Sequence, residues 1–136
     1  MENLSSNEIK EIFQYRNLVV YQHTCSYVKT IFSLLEKFPE DDEKALCESL
    51  RKATYSIPTN IAEGWSRMSG KQKLKYIENA FSALMSTVCQ MEIAKDLDYI
   101  DETDMEEIEE KANEIAKMLL GWIKKLTTQV HSPYNI

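Results

Sequence analysis

Four stretches of the chain carry apolar side chains at steps of three and four, the spacing that lines up one face of an α-helix. The first runs from a capping pattern, Ser5-x-x-Glu8, to Phe38-Pro39. Within it Val20, Thr24, Tyr27, Ile31, Leu34 and Phe38 form one stripe, and Tyr21, Cys25, Val28, Phe32 and Leu35 form a second beside it. So wide a face exceeds what one intramolecular groove needs, so this helix is expected to bury one side in its own core and the other against another subunit. Asn17 is a weak point in the run, which sets residues 5–16 apart as a short helix.

The second stretch follows the acidic turn Glu40-Asp41-Asp42-Glu43, which suits a helix start, where the macrodipole favours negative charge. Its stripe is Leu46, Leu50, Ala53, Ile57, Ile61 and Trp65, and it passes through Pro58. An internal proline removes a backbone hydrogen bond and clashes with the preceding turn, at about 3 kcal/mol. A kinked helix is therefore predicted, with Ser56, Thr59 or Asn60 donating to the freed carbonyls and with Gly64 and Gly70 bracketing the exit. Ser69-x-x-Gln72 opens the third helix, whose seam is Leu74, Ile77, Phe81, Leu84, Val88 and Met91 and which ends at Tyr99-Ile100-Asp101. Asp101 or Thr103, the latter with Glu106 three residues on, caps the fourth, whose seam is Met105, Ile108, Ala112, Ile115, Leu119, Trp122 and Leu126. The tail from His131, with Pro133, is expected outside the bundle.

Connections near residues 39–42, 66–70 and 98–102 are short, and short connections force antiparallel neighbours. The predicted fold is all-α, an up-down-up-down four-helix bundle with a kinked second helix. It forms one domain over 1–136, with its core at about 17–130, an N-terminal extension at 1–16 and a tail at 131–136. Composition agrees. Three glycines and three prolines in 136 residues are about 4%, where an average chain has roughly 12%, too few for the hairpins and tight turns of an all-β fold. Apolar residues at 43% and charged residues at 28% are globular values.

Sixteen Lys and Arg against 22 Asp and Glu leave a net charge of −6, so contact with nucleic acid would need a local basic patch. The topology supplies one. It gathers Glu40 to Glu43 with Asp96, Asp98, Asp101, Glu102, Asp104, Glu106 and Glu107 at one end, and Arg67, Lys71, Lys73, Lys75, Lys124 and Lys125, with Arg16, at the other. Trp65 and Trp122 fall at the basic end, where cations suit phosphates and an exposed indole suits a base. The alternative is a solvated helix start, with both tryptophans in the core or at a subunit contact.

Catalysis is hard to assemble from these residues. Asn60, Glu63 and Arg67 share one side of the second helix, but no nucleophile or histidine accompanies them, and a structural network beside the proline is the simpler account. The acidic end lacks the loop pattern of a calcium site. Cys25, Cys47 and Cys89 have no metal-ligand or disulfide spacing and read as small buried residues, and His23 and His131 lie at opposite ends of the chain. No catalytic residue, metal or cofactor is assigned. The start of the chain lacks the order of a secretory signal, and no apolar run reaches membrane-spanning length, so a cytoplasmic protein is expected.

Ser56-Ile57-Pro58-Thr59-Asn60-Ile61-Ala62-Glu63-Gly64, followed by Arg67 and Lys71, closely resembles the signature of the four-helix family encoded in intervening sequences of bacterial 23S ribosomal RNA genes. Leu18-x-Val20-Tyr21 is similar to its opening, Phe38-Pro39 to the end of its first helix, and Ile93-Ala94-Lys95-x-Leu97-x-Tyr99-Ile100 to the end of its third. Ser82-Ala83 stands where the family has Gly-Ser, Ser86 where a Glu is common, and Asp98 where a Gly precedes Tyr-Ile. The resemblance spans about residues 15–125. It implies a cyclic homopentamer, gives Ser56, Ile57, Pro58, Asn60, Glu63 and Gly64 a structural role, and brings no established activity. The accessory proteins of diversity-generating retroelements resemble the same bundle and bind a reverse transcriptase and nucleic acid. The resulting expectation is a non-enzymatic, self-associating bundle that contacts RNA through its basic pole. The alternative is a protein adaptor with no nucleic acid role.

Overall fold

A computed structural model describes residues 3–40 and 43–132. The order is α1 (Ser6–Ile12), a 3-10 turn (Gln14–Asn17), α2 (Val19–Leu35), α3 (Lys44–Ser66), α4 (Gly70–Asp96) and α5 (Glu102–Val130), with no strand among the described residues. Asp41 and Asp42 of the acidic turn, and Pro133 of the tail, lie outside the described residues.

Each boundary has a local cause. Ser5 and Glu8 form the capping box of α1. The break foreseen at Asn17 is the 3-10 turn, after which Leu18 is extended, with φ −68° and ψ 129°. Helix α2 stops at Leu35, before Phe38-Pro39, and tightens through hydrogen bonds from Lys37 N–H to the Leu34 carbonyl and from Phe38 N–H to the Leu35 carbonyl. Ser69 accepts from Gln72 N–H at the start of α4. Asp101 caps α5, its box partner being Asp104 rather than Glu106, because Asp104 is the residue at the third helical position. Glu43 sits at the start of α3 without capping it, since its carboxylate accepts from the Tyr99 hydroxyl.

Helix α4 ends at Asp96, three residues ahead of the predicted stop. Asp98 N–H donates to the Lys95 carbonyl and Tyr99 N–H to the Ala94 carbonyl, both at 2.9 Å, while Asp98 takes φ 62°. That is a Schellman stop, whose left-handed position normally belongs to glycine. Asp98 is the residue that departs from the resembled family's Gly, and an L side chain there carries a steric cost of roughly 1–2 kcal/mol. Asp98→Gly is expected to stabilise the protein by about 0.5–1 kcal/mol net of glycine's entropy, read as a raised urea midpoint at unchanged m-value.

The four long helices pack each on the next, and α2 packs on α5. Thr30 meets Lys111 and Lys37 meets Asp104, so α2 and α5 run in opposite directions. The first stripe of α2 is buried throughout, from Val20 to Phe38, and so is the α5 seam except for the half-buried Trp122. The α4 seam is rotated from the predicted one. Its deepest positions are Ile77, Ala80, Leu84, Thr87, Met91 and Ala94, while Leu74, Phe81 and Val88 flank the core half-buried.

Helix α3 is continuous through Pro58. The predicted donors act, but on other carbonyls: Ser56 on Ala53, Thr59 on Tyr55 and Asn60 on Ser56. None reaches Thr54, whose carbonyl Pro58 leaves without its helical donor. Gly64 lies in the last turn of α3, which ends at Ser66, so it and Gly70 bracket the exit, and a Cβ there would stand 3.0 Å from the Tyr76 Cβ and 3.2 Å from the Ile77 Cδ1. It is a point of close approach to α4, where an added side chain would force its neighbours to give way. The cysteines are not core residues: Cys89 is exposed, and Cys25 and Cys47 are half-buried.

Candidate nucleic-acid interface

The end formed by the C-termini of α3 and α5 and the N-termini of α2 and α4 holds the predicted cations. Arg16, in the 3-10 turn, lies over the Phe13 ring at 4.8 Å, and the other six divide into two groups. Arg67 follows the last turn of α3 and is half-buried. Its Nη2 donates to the Tyr76 hydroxyl at 2.6 Å while its Cζ sits 4.6 Å from the Tyr76 ring centroid, and its Nε is buried without a partner. Lys73 reaches back from α4 to donate to the Trp65 carbonyl at 3.0 Å and the Gly64 carbonyl at 3.5 Å, with its ammonium 5.8 Å from the Trp65 ring. A cation on the terminal carbonyls of a helix satisfies their lone pairs and opposes the negative end of the dipole. Both side chains therefore tie α3 to α4.

Lys71, Lys75, Lys124 and Lys125 form the second group. All four are exposed, and none is ion-paired among the described residues. Trp122 packs half-buried against the core, and Lys73 lies over Trp65. A base would therefore find lysines here before it found an indole.

The polar trio of α3 is dispersed. Asn60 donates to the Ser56 carbonyl, Arg67 is held by Tyr76, and no hydrogen bond or ion pair links Glu63 to either. Elsewhere in the motif Ile61 and Gly64 are buried, while Thr59 and Glu63 are exposed. Ile57 is fully buried, and Pro58 is half-buried where α3 faces α2. There the second stripe of α2 (Tyr21, Cys25, Val28) and Tyr55, Pro58 and Ala62 of α3 line an open apolar groove.

The opposite end is acidic but carries its own cations. Lys37 pairs with Asp104 at 2.8 Å and Lys95 with Glu102 at 2.7 Å. Partial burial pushes the Asp104 carboxyl up, but hydrogen bonds from Lys37 and from the Asp101 backbone outweigh it and hold the group below the ordinary aspartate value. Lys37 and Lys95 are raised by the same pairings. No cluster of three His, Cys, Asp or Glu with a metal-holding arrangement occurs among the described residues. Nor is any helix among them long and apolar enough to cross a membrane.

Sequence reasoning missed Tyr76 as the partner of Arg67 and the carbonyls that hold Lys73. Both contacts span the α3–α4 connection, and no local spacing announces them. Comparison with curated proteins finds no match. The model of the 23S rRNA-intervening sequence protein family matches residues 16–121, a span that begins in the 3-10 turn and reaches the last third of α5. That coverage, with the Ser56 to Gly64 motif seated where α3 meets its neighbours, identifies the chain as a member of the 23S rRNA-intervening sequence protein family.

Proposed function

We propose that this protein is a non-enzymatic cytoplasmic subunit of one domain, an up-down-up-down four-helix bundle kinked at Pro58, that closes into a cyclic homopentamer and holds RNA on the ring of its basic ends. The observation that carries the reading is the set of four exposed lysines, Lys71, Lys75, Lys124 and Lys125, at one end of an otherwise acidic chain with no carboxylate partner among the described residues. Repetition around a ring would sum their fields, and binding that displaces counterions from phosphates is steeply salt-dependent. The open groove between α2 and α3 supports the assembly step, because it leaves the second stripe of α2 only half covered.

Fluorescence anisotropy with single-stranded and hairpin RNA, at about 50 mM and about 200 mM salt, tests it. Binding is expected at the lower salt and to weaken at least about tenfold at the higher. The quadruple variant K71E/K75E/K124E/K125E should lose it while keeping its melting temperature, since Arg67 and Lys73 are untouched. No binding by the native chain at the lower salt would remove RNA from the reading, and a monomer by light scattering at micromolar concentration would remove the ring. The commitment of Arg67 and Lys73 to protein groups favours the second reading, an adaptor without RNA. A purified protein partner whose affinity survives the charge reversal would establish it.

A further inference from the structure

Toward the acidic end, α4 and α5 line a second, open groove. Its floor includes Met85, which is 43% exposed, with Ala112 and Ala116 one turn apart on α5. Small residues there lower the floor between two helices that would otherwise close over it. Glu106, Glu109 and Glu110 form the rim, spaced by three and four residues, and none is ion-paired among the described residues. The nearest cation of α5, Lys111, is turned the other way, onto Glu107 and the Thr30 hydroxyl of α2. The groove thus joins an apolar floor to three glutamates without an ion pair among the described residues, of which Glu109 lies within the field of Lys95 on α4.

We propose that this groove docks a basic amphipathic helix of a partner protein. An apolar stripe would fill the space over Ala112 and Ala116, Met85 would adapt to its side chains, and Lys or Arg beside the stripe would meet the three glutamates. Phosphate ligands are disfavoured, because RNA or an anionic membrane would bring negative charge to this rim. A second copy of the chain is disfavoured by geometry, a step that rests on the ring proposed above. Contacts run from α2 to α3 to α4 to α5 and back to α2, so the α2/α3 and α4/α5 grooves share no helix and lie on opposite sides. Closure of a five-membered ring needs contact patches about 108° apart, whereas opposite faces build an open row. Ring contacts through the α2/α3 side leave the α4/α5 groove uncovered.

The probe is a fluorescein-labelled peptide of about 18 residues, Leu and Lys in amphipathic helical order, with a scrambled peptide of the same composition as control. The native protein should bind the ordered peptide about tenfold more tightly than the scrambled one. Met85→Glu makes the protein more acidic yet should weaken binding about tenfold, and Met85→Gln, milder at this exposed site, about threefold. E106Q/E109Q/E110Q should also weaken it about tenfold. If both Met85 variants bind as tightly as the native chain or more so, the peptide is held by net charge and the proposal is overturned. It is equally overturned if these variants reduce the assembly in light scattering, for then the groove belongs to a subunit contact. A native chain that scatters as a monomer but shows the Met85 losses supports the docking site while removing the ring.

Discussion

Alanine at Gly64 should destabilise the protein by about 2 kcal/mol, while alanine at Gly121 should stabilise it by about 1 kcal/mol. The two glycines share a helical conformation, and in both the alanine gains about 1 kcal/mol of helix propensity. Their surroundings decide the sign. Nothing lies within 4 Å of a Cβ at Gly121, which is exposed. At Gly64 the new methyl would stand 3.0 Å from the Tyr76 Cβ, an atom fixed to the backbone of α4 that cannot swing aside as the end of a long side chain can. Helices α3 and α4 must separate, loosening Ile77 in the core and the Arg67–Tyr76 and Lys73–Trp65 contacts that tie the same two helices. For a chain of this size the changes correspond to a melting temperature about 8 °C lower at Gly64→Ala and about 4 °C higher at Gly121→Ala. If both variants melt higher than the native protein, the close approach is not a constraint on the fold.

Gly64 also shows what could be read from the sequence and what could not. Helix periodicity placed the long helices and most of the core, because burial on one face leaves a regular mark at steps of three and four. The same method marked Gly64 as the exit of α3 but not as its crossing with α4, since a glycine at a helix end and one at a helix crossing look alike in one dimension. On α4 it placed Ile77, Leu84 and Met91 in the core but completed the seam with Leu74, Phe81 and Val88, whereas the other fully buried places belong to the small Ala80, Thr87 and Ala94, where close packing selects against bulk. At Pro58 it named active donors but not their acceptors. A helical hydroxyl or amide reaches the carbonyl three or four residues back, so only positions 57 or 58 could serve Thr54, and those are Ile57 and Pro58. For the basic end, the charges were legible and their engagement was not. Arg67 and Lys73 are cations in the sequence, but the Tyr76 hydroxyl and the carbonyls of Gly64 and Trp65 that hold them are known only once α3 and α4 are folded together.

Tyr27→Phe should be less stable than the native protein at neutral pH and more stable above about pH 11. Tyr27 is fully buried on the first stripe of α2, with its hydroxyl 2.8 Å from the Thr87 Oγ1 on α4. The Thr87 proton goes to the Leu84 carbonyl at 2.8 Å, so Tyr27 is the donor and Thr87 the acceptor. Loss of that bond costs about 1 kcal/mol in the phenylalanine variant at every pH. The native protein has a second liability. Burial pushes the Tyr27 phenol up to about 12, against the stabilisation that the phenolate gains when the Thr87 hydroxyl turns to donate to it. In the unfolded chain the phenol ionises near 10. Below pH 10 both states keep the proton, and the full stability is present. Between 10 and 12 the unfolded chain sheds a proton that the folded one retains, so stability falls as pH rises, by about 3 kcal/mol once both states have ionised and by about half that at pH 11. Phenylalanine has nothing to titrate there, and the slopes from lysines and the remaining tyrosines are shared by the two proteins. Urea unfolding at intervals from pH 7 to 12 should therefore give stability curves that cross near 11. Curves that stay parallel through that window would mean that Tyr27 ionises in the folded protein as readily as in the unfolded one, and that its burial opposes no charge.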